Sequence, residues 1–426
     1  MPYPTPMESP ELFSIMNDEI NAVKQAVKPG EQVLLALSGG VDSFVAAVMI
    51  HNAIGDQLRC VFVDHGGMRH GEADSIKALF AERFGKSFVA VDASKEYLKA
   101  IKGVTDSEIL RKIIGKKFID VFARVADKFD NIKYFGQGTI KTDLDESGVG
   151  DKKFIKTHHN TGIDEFIKAH GWTLVEPLKQ FMKQEVRTVG SWLDIPEEHL
   201  ARQPFPGPGN YLRVIGGDVT GKDLKLASKF DAVVRNRIDA ARLPDAKQYY
   251  GAMAKNVEFI SFNSPRMGSY GIYIVHAQKI IKSIAKSEQI SNYSIKIAPE
   301  IKVTGIRDEA RAEEPIMVIS NDVISMDAFE SWNNVSHSLY EIQCKLADAI
   351  CAEMPIGRVM FTWDMPAADS SKYNFIVRAV NTLNFKEAAP TCLDIQLQQA
   401  ILNEFGRNKA IFFDMTRKPS ATIEYR

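Results

Sequence analysis

The stretch VLLALSGGVDSFVAAVM, Val33–Met49, sets two apolar runs on either side of a small polar turn. The first run, VLLAL, has the length and apolar density of a buried strand. The second starts with Asp42 and Ser43 and continues as a helix. Between them stand Ser38, Gly39 and Gly40, and glycine there lets the backbone turn sharply and approach a ligand closely. A strand, a glycine turn and a buried helix are the opening of a βαβ unit, so the chain is constrained towards a parallel sheet.

The pattern continues accordingly. LRCVFVD (58–64), SFVAVD (87–92) and IKYFGQG (132–138) read as further strands, and residues 43–54 and 72–84 read as helices between them. Strands alternating with helices of that length imply a doubly wound α/β sheet, whose ligands lie at the carboxyl ends of the strands. The turn after the first strand is at that edge. Proline and glycine crowd QPFPGPGNYLRVIGG (203–217), which reads as a boundary between a first domain, 1–217, and a second, 218–426. In the second, PIMVISNDVISMDAFESW and NFIVRAVNTLNFKEAAP each run from strand through polar turn to an amphipathic helix and a closing strand. An α+β domain built from a duplicated unit is expected, with repeats at about 218–365 and 366–426.

The formal net charge of −1 offers no basic field to a nucleic acid or an anionic membrane. No apolar run is long enough to span a bilayer, and the N-terminus lacks a signal-peptide pattern. The four cysteines, Cys60, Cys344, Cys351 and Cys392, are scattered without a CxxC pair. These features point to a cytoplasmic chain without a zinc cage.

The turn itself points to phosphate. The helix that starts near Asp42 presents N–H groups and a partial positive charge to an anion, and Ser38 and Ser43 add hydroxyls. Asp42 would repel phosphates unless a divalent cation lies between, so its presence predicts Mg²⁺. The plain alternative is an ordinary βα turn with an acidic first helical turn. No G-K-[ST] follows, so this is not a Walker A loop.

SGGVDS resembles the PP-loop of the ATP pyrophosphatases. KGVTDSEILRKIIGKKFIDVF, GQGTIKTDLDES, IKTHHN, LVEPLKQFMKQEVRTVG, RQPFPGPGNYLRVIG and the terminal RKPSATIEYR, in that order, resemble the synthetase part of the GMP synthetase family. The resemblance implies a PP-loop α/β domain followed by an α+β dimerisation-type domain. It implies ATP-dependent amination of XMP to GMP through an adenylated purine, releasing AMP and pyrophosphate with Mg²⁺. It places ATP on Ser38, Gly39, Gly40, Val41, Asp42 and Ser43, with adenine near Val63 and Arg111 towards the phosphates. It makes Asp143, Glu146, Lys156 and His158 the catalytic group, with Asp42 and Asp143 on the metal. Arg213, Lys418, Thr422, Ile423 and Glu424 would hold XMP. The expanded second domain implies a monomer, the ordinary one a homodimer.

The pattern also departs from that family. TIKTDLDES stands for TIYPDVIES, VDHGGMRHGE for a VDNGLLR-type run, EARAEEP for a run containing RTY, and EYR for the usual EWE ending. No cysteine lies in the G-x-C-x-G elbow of a glutaminase, so ammonia is expected either free or from a separate glutaminase subunit. A PP-loop ligase for another purine nucleotide is the alternative enzyme, and a catalytically silent nucleotide-binding paralogue the alternative of another class. The joint presence of Asp42, Asp143, Glu146 and Lys156 speaks against the silent form.

Overall fold

The structure, a computed structural model, describes residues 3–141, 161–203, 205–262, 264–284, 293–307, 310–321, 335–362, 373–382, 387–393, 395–405 and 410–417. The chain divides into two compact units, Met1–Ile101 with Arg111–Pro208, and Lys102–Leu110 with Gly209–Arg426.

In the first part of the chain, α1 (Pro10–Ala26) precedes β1 (Gln32–Leu37), α2 (Val41–Ile54), β2 (Leu58–Asp64), α3 (Glu72–Phe84), β3 (Phe88–Asp92) and α4 (Ser94–Ala100). There follow α5 (Ser107–Ala126), β4 (Ile132–Gly136), α6 (Thr161–His170), β5 (Thr173–Val175), α7 (Lys183–Trp192) and the short α8 (Glu197–Leu200). The five strands form one sheet in the order β3-β2-β1-β4-β5, and every neighbouring pair is parallel. The expected α/β doubly wound parallel sheet is therefore present. Strand order reverses direction at β1, whose neighbours are β2 on one side and β4 on the other. The switch point, where such sheets open a crevice, thus lies beyond the carboxyl ends of β1 and β4.

The core explains the placement of α2. Its residues Phe44 through Ile50 are all buried, so the helix is apolar around its circumference and is enclosed on all sides. Phe44 meets Phe80 of α3 edge to face at 4.7 Å. Val33, Leu35, Leu37, Phe62, Val186 and Val189 belong to the same core. A helix held this way presents its first turn at a fixed point above the sheet edge. β4 ends at Gly136 rather than continuing to Gly138, because the backbone leaves the sheet there and turns towards α2.

The second unit contains β6 (Val214–Ile215), α9 (Gly221–Ala241), β7 (Gln248–Lys255), α10 (Tyr270–Ile284), β8 (Tyr293–Arg307) and β9 (Ala310–Asn321). It continues with α11 (Val335–Glu353), β10 (Arg358–Thr362), β11 (Tyr373–Thr382), β12 (Ala388–Pro390), α12 (Ile395–Phe405) and β13 (Ile411–Asp414). Its sheet runs β6-β7-β11-β13-β10-β9-β8, with β12 paired to β11. The two segments read as repeats are both β–α–β units: β9–α11–β10 and β11–α12–β13, each with its strands parallel. They meet along an antiparallel pair, β10 with β13. Each is flanked by an antiparallel outer strand, β8 beside β9 and β7 beside β11. The halves interleave along the chain, since β7 lies before the β8–β10 half and its neighbour β11 lies after it.

Candidate active site

The turn after β1 is knitted by its own hydroxyls. Ser38 Oγ and Ser43 Oγ lie 3.1 Å apart, and the Gly40 amide donates to Ser38 Oγ at 3.1 Å. Ser43 Oγ also accepts from the Ser38 amide at 3.3 Å and donates to the Gly40 carbonyl at 3.1 Å. Gly39 has φ +78°, and a Cβ on it would stand 2.6 Å from Ile76 Cδ1. Conformation and space both require glycine there. Gly40 caps α2 without any side-chain cap, so the N–H groups of Val41, Asp42 and Ser43 open the helix towards the crevice.

Asp42 is met from across the chain. Lys183, the first residue of α7, places Nζ 2.6 Å from each carboxylate oxygen of Asp42. Both side chains remain partly open, at 46% for Lys183 and 28% for Asp42. The start of α7 is fixed by Glu185, whose carboxylate accepts the Met182 amide at 2.7 Å. Gly138 closes the third side: a Cβ there would stand 2.8 Å from the Asp42 carbonyl carbon and 2.9 Å from the Ser43 nitrogen. The crevice mouth thus joins a helix N-terminus, one carboxylate and one ammonium.

This donor set fits Mg²⁺ carried with phosphates. Asp42 offers hard carboxylate oxygens at an open position, and a cationic group already lies against both of them. Mg²⁺ is commonly held by one or two carboxylates and substrate phosphates rather than by a full protein cage. Among the described residues no three His, Cys, Asp or Glu gather into such a cage.

The loop after β2 forms the other wall. Val63 is buried and pairs with Val91 of β3, and Asp64 receives Lys77 at 2.7 Å and the Gly66 amide at 2.9 Å. His65 is buried, and its Nδ1 accepts the Gly67 amide at 3.0 Å. That bond puts the proton of the neutral ring on Nε2. Burial pushes the imidazole down from 6.5 to about 4. A histidine depressed on folding binds fewer protons folded than unfolded between those values. Its contribution is therefore present above about pH 6.5 and is lost as pH falls towards 4, roughly 3 kcal/mol in all. Urea unfolding at pH 7 and pH 5 is expected to show about 2 kcal/mol of this loss. His65→Asn keeps an acceptor for Gly67 and should flatten that part of the profile; an unchanged profile would show that His65 does not cause it.

Of the other expected site residues, Arg111 is half-buried on α5. Arg213, the expected partner of a substrate phosphate, is 2% exposed, and its guanidinium charge is met by Asp231 at 3.2 Å over the Tyr250 ring. Asp143, Glu146, Lys156, His158, Lys418, Thr422, Ile423 and Glu424 lie outside the described residues. Cys60, Cys344 and Cys351 are buried free thiols, and burial raises the pKa of all three, Cys344 to about 11. None of these three has the environment of a reactive thiolate. No helix among the described residues is long and apolar enough to cross a membrane.

Lys183 and Arg202, which reaches the Gly39 carbonyl, carry no role in the sequence reading. LVEPLKQFMKQEVRTVG contains Lys183 and was a visible signal, but no local spacing ties it to Asp42.

No family model matches this chain. Proteins named GMP synthase [glutamine-hydrolyzing] are similar to it. That of Bacillus subtilis is 48% identical over 221 residues, covering 52% of this chain and 42% of that protein. That of Geobacillus kaustophilus is 46% identical over 231 residues, with 54% and 44% covered. That of Caldicellulosiruptor saccharolyticus is 44% identical over 248 residues, with 58% and 48% covered. The resemblance read from the motifs is borne out at this identity. The chain spans less than half the length of these curated relatives. A solved NMN synthetase from Francisella tularensis covers 50% of this chain and 84% of its own, at 17% identity and a TM-score of 0.35.

Proposed function

Proceeding from the similarity to GMP synthases, we propose that this chain is an AMP-forming carbon–nitrogen ligase that aminates XMP to GMP with ATP and ammonia. The observation that carries the reading is the Asp42–Lys183 pair across the mouth of the glycine turn, at the switch point of a parallel sheet. An anion-binding helix start with one carboxylate and one movable ammonium suits a polyphosphate that arrives with a divalent cation.

The C2 oxygen of XMP attacks the α-phosphorus of ATP, the α–β phosphoanhydride bond breaks, and pyrophosphate departs. Ammonia then adds at C2, AMP leaves with the oxygen, and a proton is released. The amides of Val41, Asp42 and Ser43 bind the β- and γ-phosphates, and Lys183 shifts its charge from Asp42 towards the departing diphosphate. Mg²⁺, held by Asp42 and, by the resemblance, Asp143, would supply neutralisation of that diphosphate. Glu146, Lys156 and His158 complete the catalytic group, and Arg213, Lys418, Thr422, Ile423 and Glu424 hold the purine nucleotide, on the same resemblance.

The test incubates the chain with ATP, Mg²⁺, XMP and ammonium and follows GMP, AMP and pyrophosphate. Equimolar formation of all three is expected. Pyrophosphate release with another purine nucleotide, and none with XMP, would replace the substrate. Glutamine in place of ammonium is expected to give no GMP until a separate glutaminase is added; turnover on glutamine alone would overturn the proposed ammonia source.

A further inference from the structure

We infer that Arg202 is a positioning residue of the glycine turn, holding the Gly39–Gly40 peptide in the one orientation that leaves the phosphate site open. This rests on the reading of that turn as the ATP site.

Arg202 lies just beyond α8, at the start of the proline-rich stretch that the sequence presents as a mere connector. Its Nη1 donates to the Gly39 carbonyl, and its Nη2 donates to the Glu72 carboxylate at the start of α3. The guanidinium is largely buried, with 17% of the side chain exposed. Glu72 is itself held: it accepts the Arg69 amide at 3.0 Å and Arg69 Nη1 at 3.4 Å. Arg69 Nη2 in turn donates to the Gln203 carbonyl at 2.9 Å, and its guanidinium stacks over Phe205 at 4.5 Å. The turn, the loop after β2 and residues Arg202, Gln203 and Phe205 are thereby joined into one network.

The peptide needs such a hold. It is flanked by two residues without Cβ, so two orientations related by a flip are sterically open to it. In the observed one the carbonyl faces Arg202 and the Gly40 amide faces Ser38 Oγ. A flip would turn the carbonyl towards the Ser38 and Ser43 hydroxyls, recruit them as donors, and set an acceptor beside incoming phosphates. It would also face an N–H against a guanidinium. The planar fork bridges Gly39 and Glu72 at once, which a lysine ammonium cannot do in the same fixed geometry.

The test is MgATP binding by calorimetry, without XMP or ammonium, so that it does not depend on the amination step. Arg202→Ala is expected to weaken binding about tenfold or more, the usual scale for a lost charge-assisted hydrogen bond. Arg202→Lys should recover only part of this, and added guanidinium ion should restore much of it to Arg202→Ala. Arg83→Ala is the control. Arg83 is on α3 and donates to the Leu193 carbonyl at 2.8 Å, so this change should lower thermal stability and leave MgATP affinity unchanged. Wild-type affinity in folded Arg202→Ala, or full recovery in Arg202→Lys, overturns the inference. Should Arg202→Ala not fold, the lysine variant decides alone. A wild-type chain that binds MgATP but does not aminate XMP sinks the proposed reaction and leaves this inference standing. One that binds no MgATP sinks both.

Discussion

Asp42→Asn lowers the rate of pyrophosphate release from MgATP by on the order of 10²–10³, the scale seen when one group that stabilises transition-state charge is removed. The substitution keeps size and hydrogen-bonding oxygen, so α2 and its first turn stay in place. What it removes is the anion that Lys183 now grips with both carboxylate oxygens at 2.6 Å. The sign of the binding change separates a metal-linked role from a structural one. ATP without metal should bind the variant more tightly than the wild type, because a repelling carboxylate has gone and the ammonium is released towards the phosphates. MgATP should bind less tightly, because the cation has lost its protein ligand. Lys183→Ala should also be slow, and the double variant should cost less than the sum of the two, as neighbours in one network do. Wild-type turnover by folded Asp42→Asn would remove the proposed site.

Gly138→Ala should be nearly as damaging, by a different route. The added Cβ would stand 2.8 Å from the Asp42 carbonyl carbon and 2.9 Å from both the Asp42 oxygen and the Ser43 nitrogen. These are backbone atoms of the first turn of a helix packed on every side, so nothing cheap can give way. Overpacking of this kind costs about 1–3 kcal/mol, and a displacement near 1 Å in a binding group costs roughly 10²-fold in rate. Gly136→Ala supplies the comparison. Its Cβ would meet Leu35 Cδ1 at 2.9 Å, Ile50 Cδ1 at 3.1 Å and Leu35 Cβ at 3.2 Å, which are core side-chain atoms and not backbone of the turn. Thermal melts and pyrophosphate-release rates on the two variants should therefore diverge, with activity lost disproportionately in Gly138→Ala. Equal loss in both would show that the turn is not sensitive to its neighbour.

The legible parts of this molecule are those encoded within a dozen residues. The glycine turn was readable because strand, turn and helix are contiguous and because only glycine suits φ +78° against Ile76. The alternation of strands and helices implied a parallel sheet, but not that β1 would lie between β2 and β4. Lys183, at the start of α7, and Arg202, just beyond α8, carry no local signal because each reaches the turn from far along the chain, and only the assembled core decides where they lie. Arg213 shows the same limit. The resemblance implies a substrate phosphate beside it, but its ion pair with Asp231 of α9 could not be read from the local sequence. In the second unit the two β–α–β segments were visible as repeated apolar patterns. Their interleaving was not, because a strand's pattern carries its burial and not its neighbour.

That interleaving dictates an order of assembly at the ribosome. The half formed by α10, β8, β9, α11 and β10 is complete in the emerging polypeptide before β11 exists. β7, already made, must wait from Lys255 until Tyr373 for the strand it pairs with along its whole length. A nascent chain halted before β11 therefore leaves the β11-facing edge of β7 open, with only the short β6 on its other side.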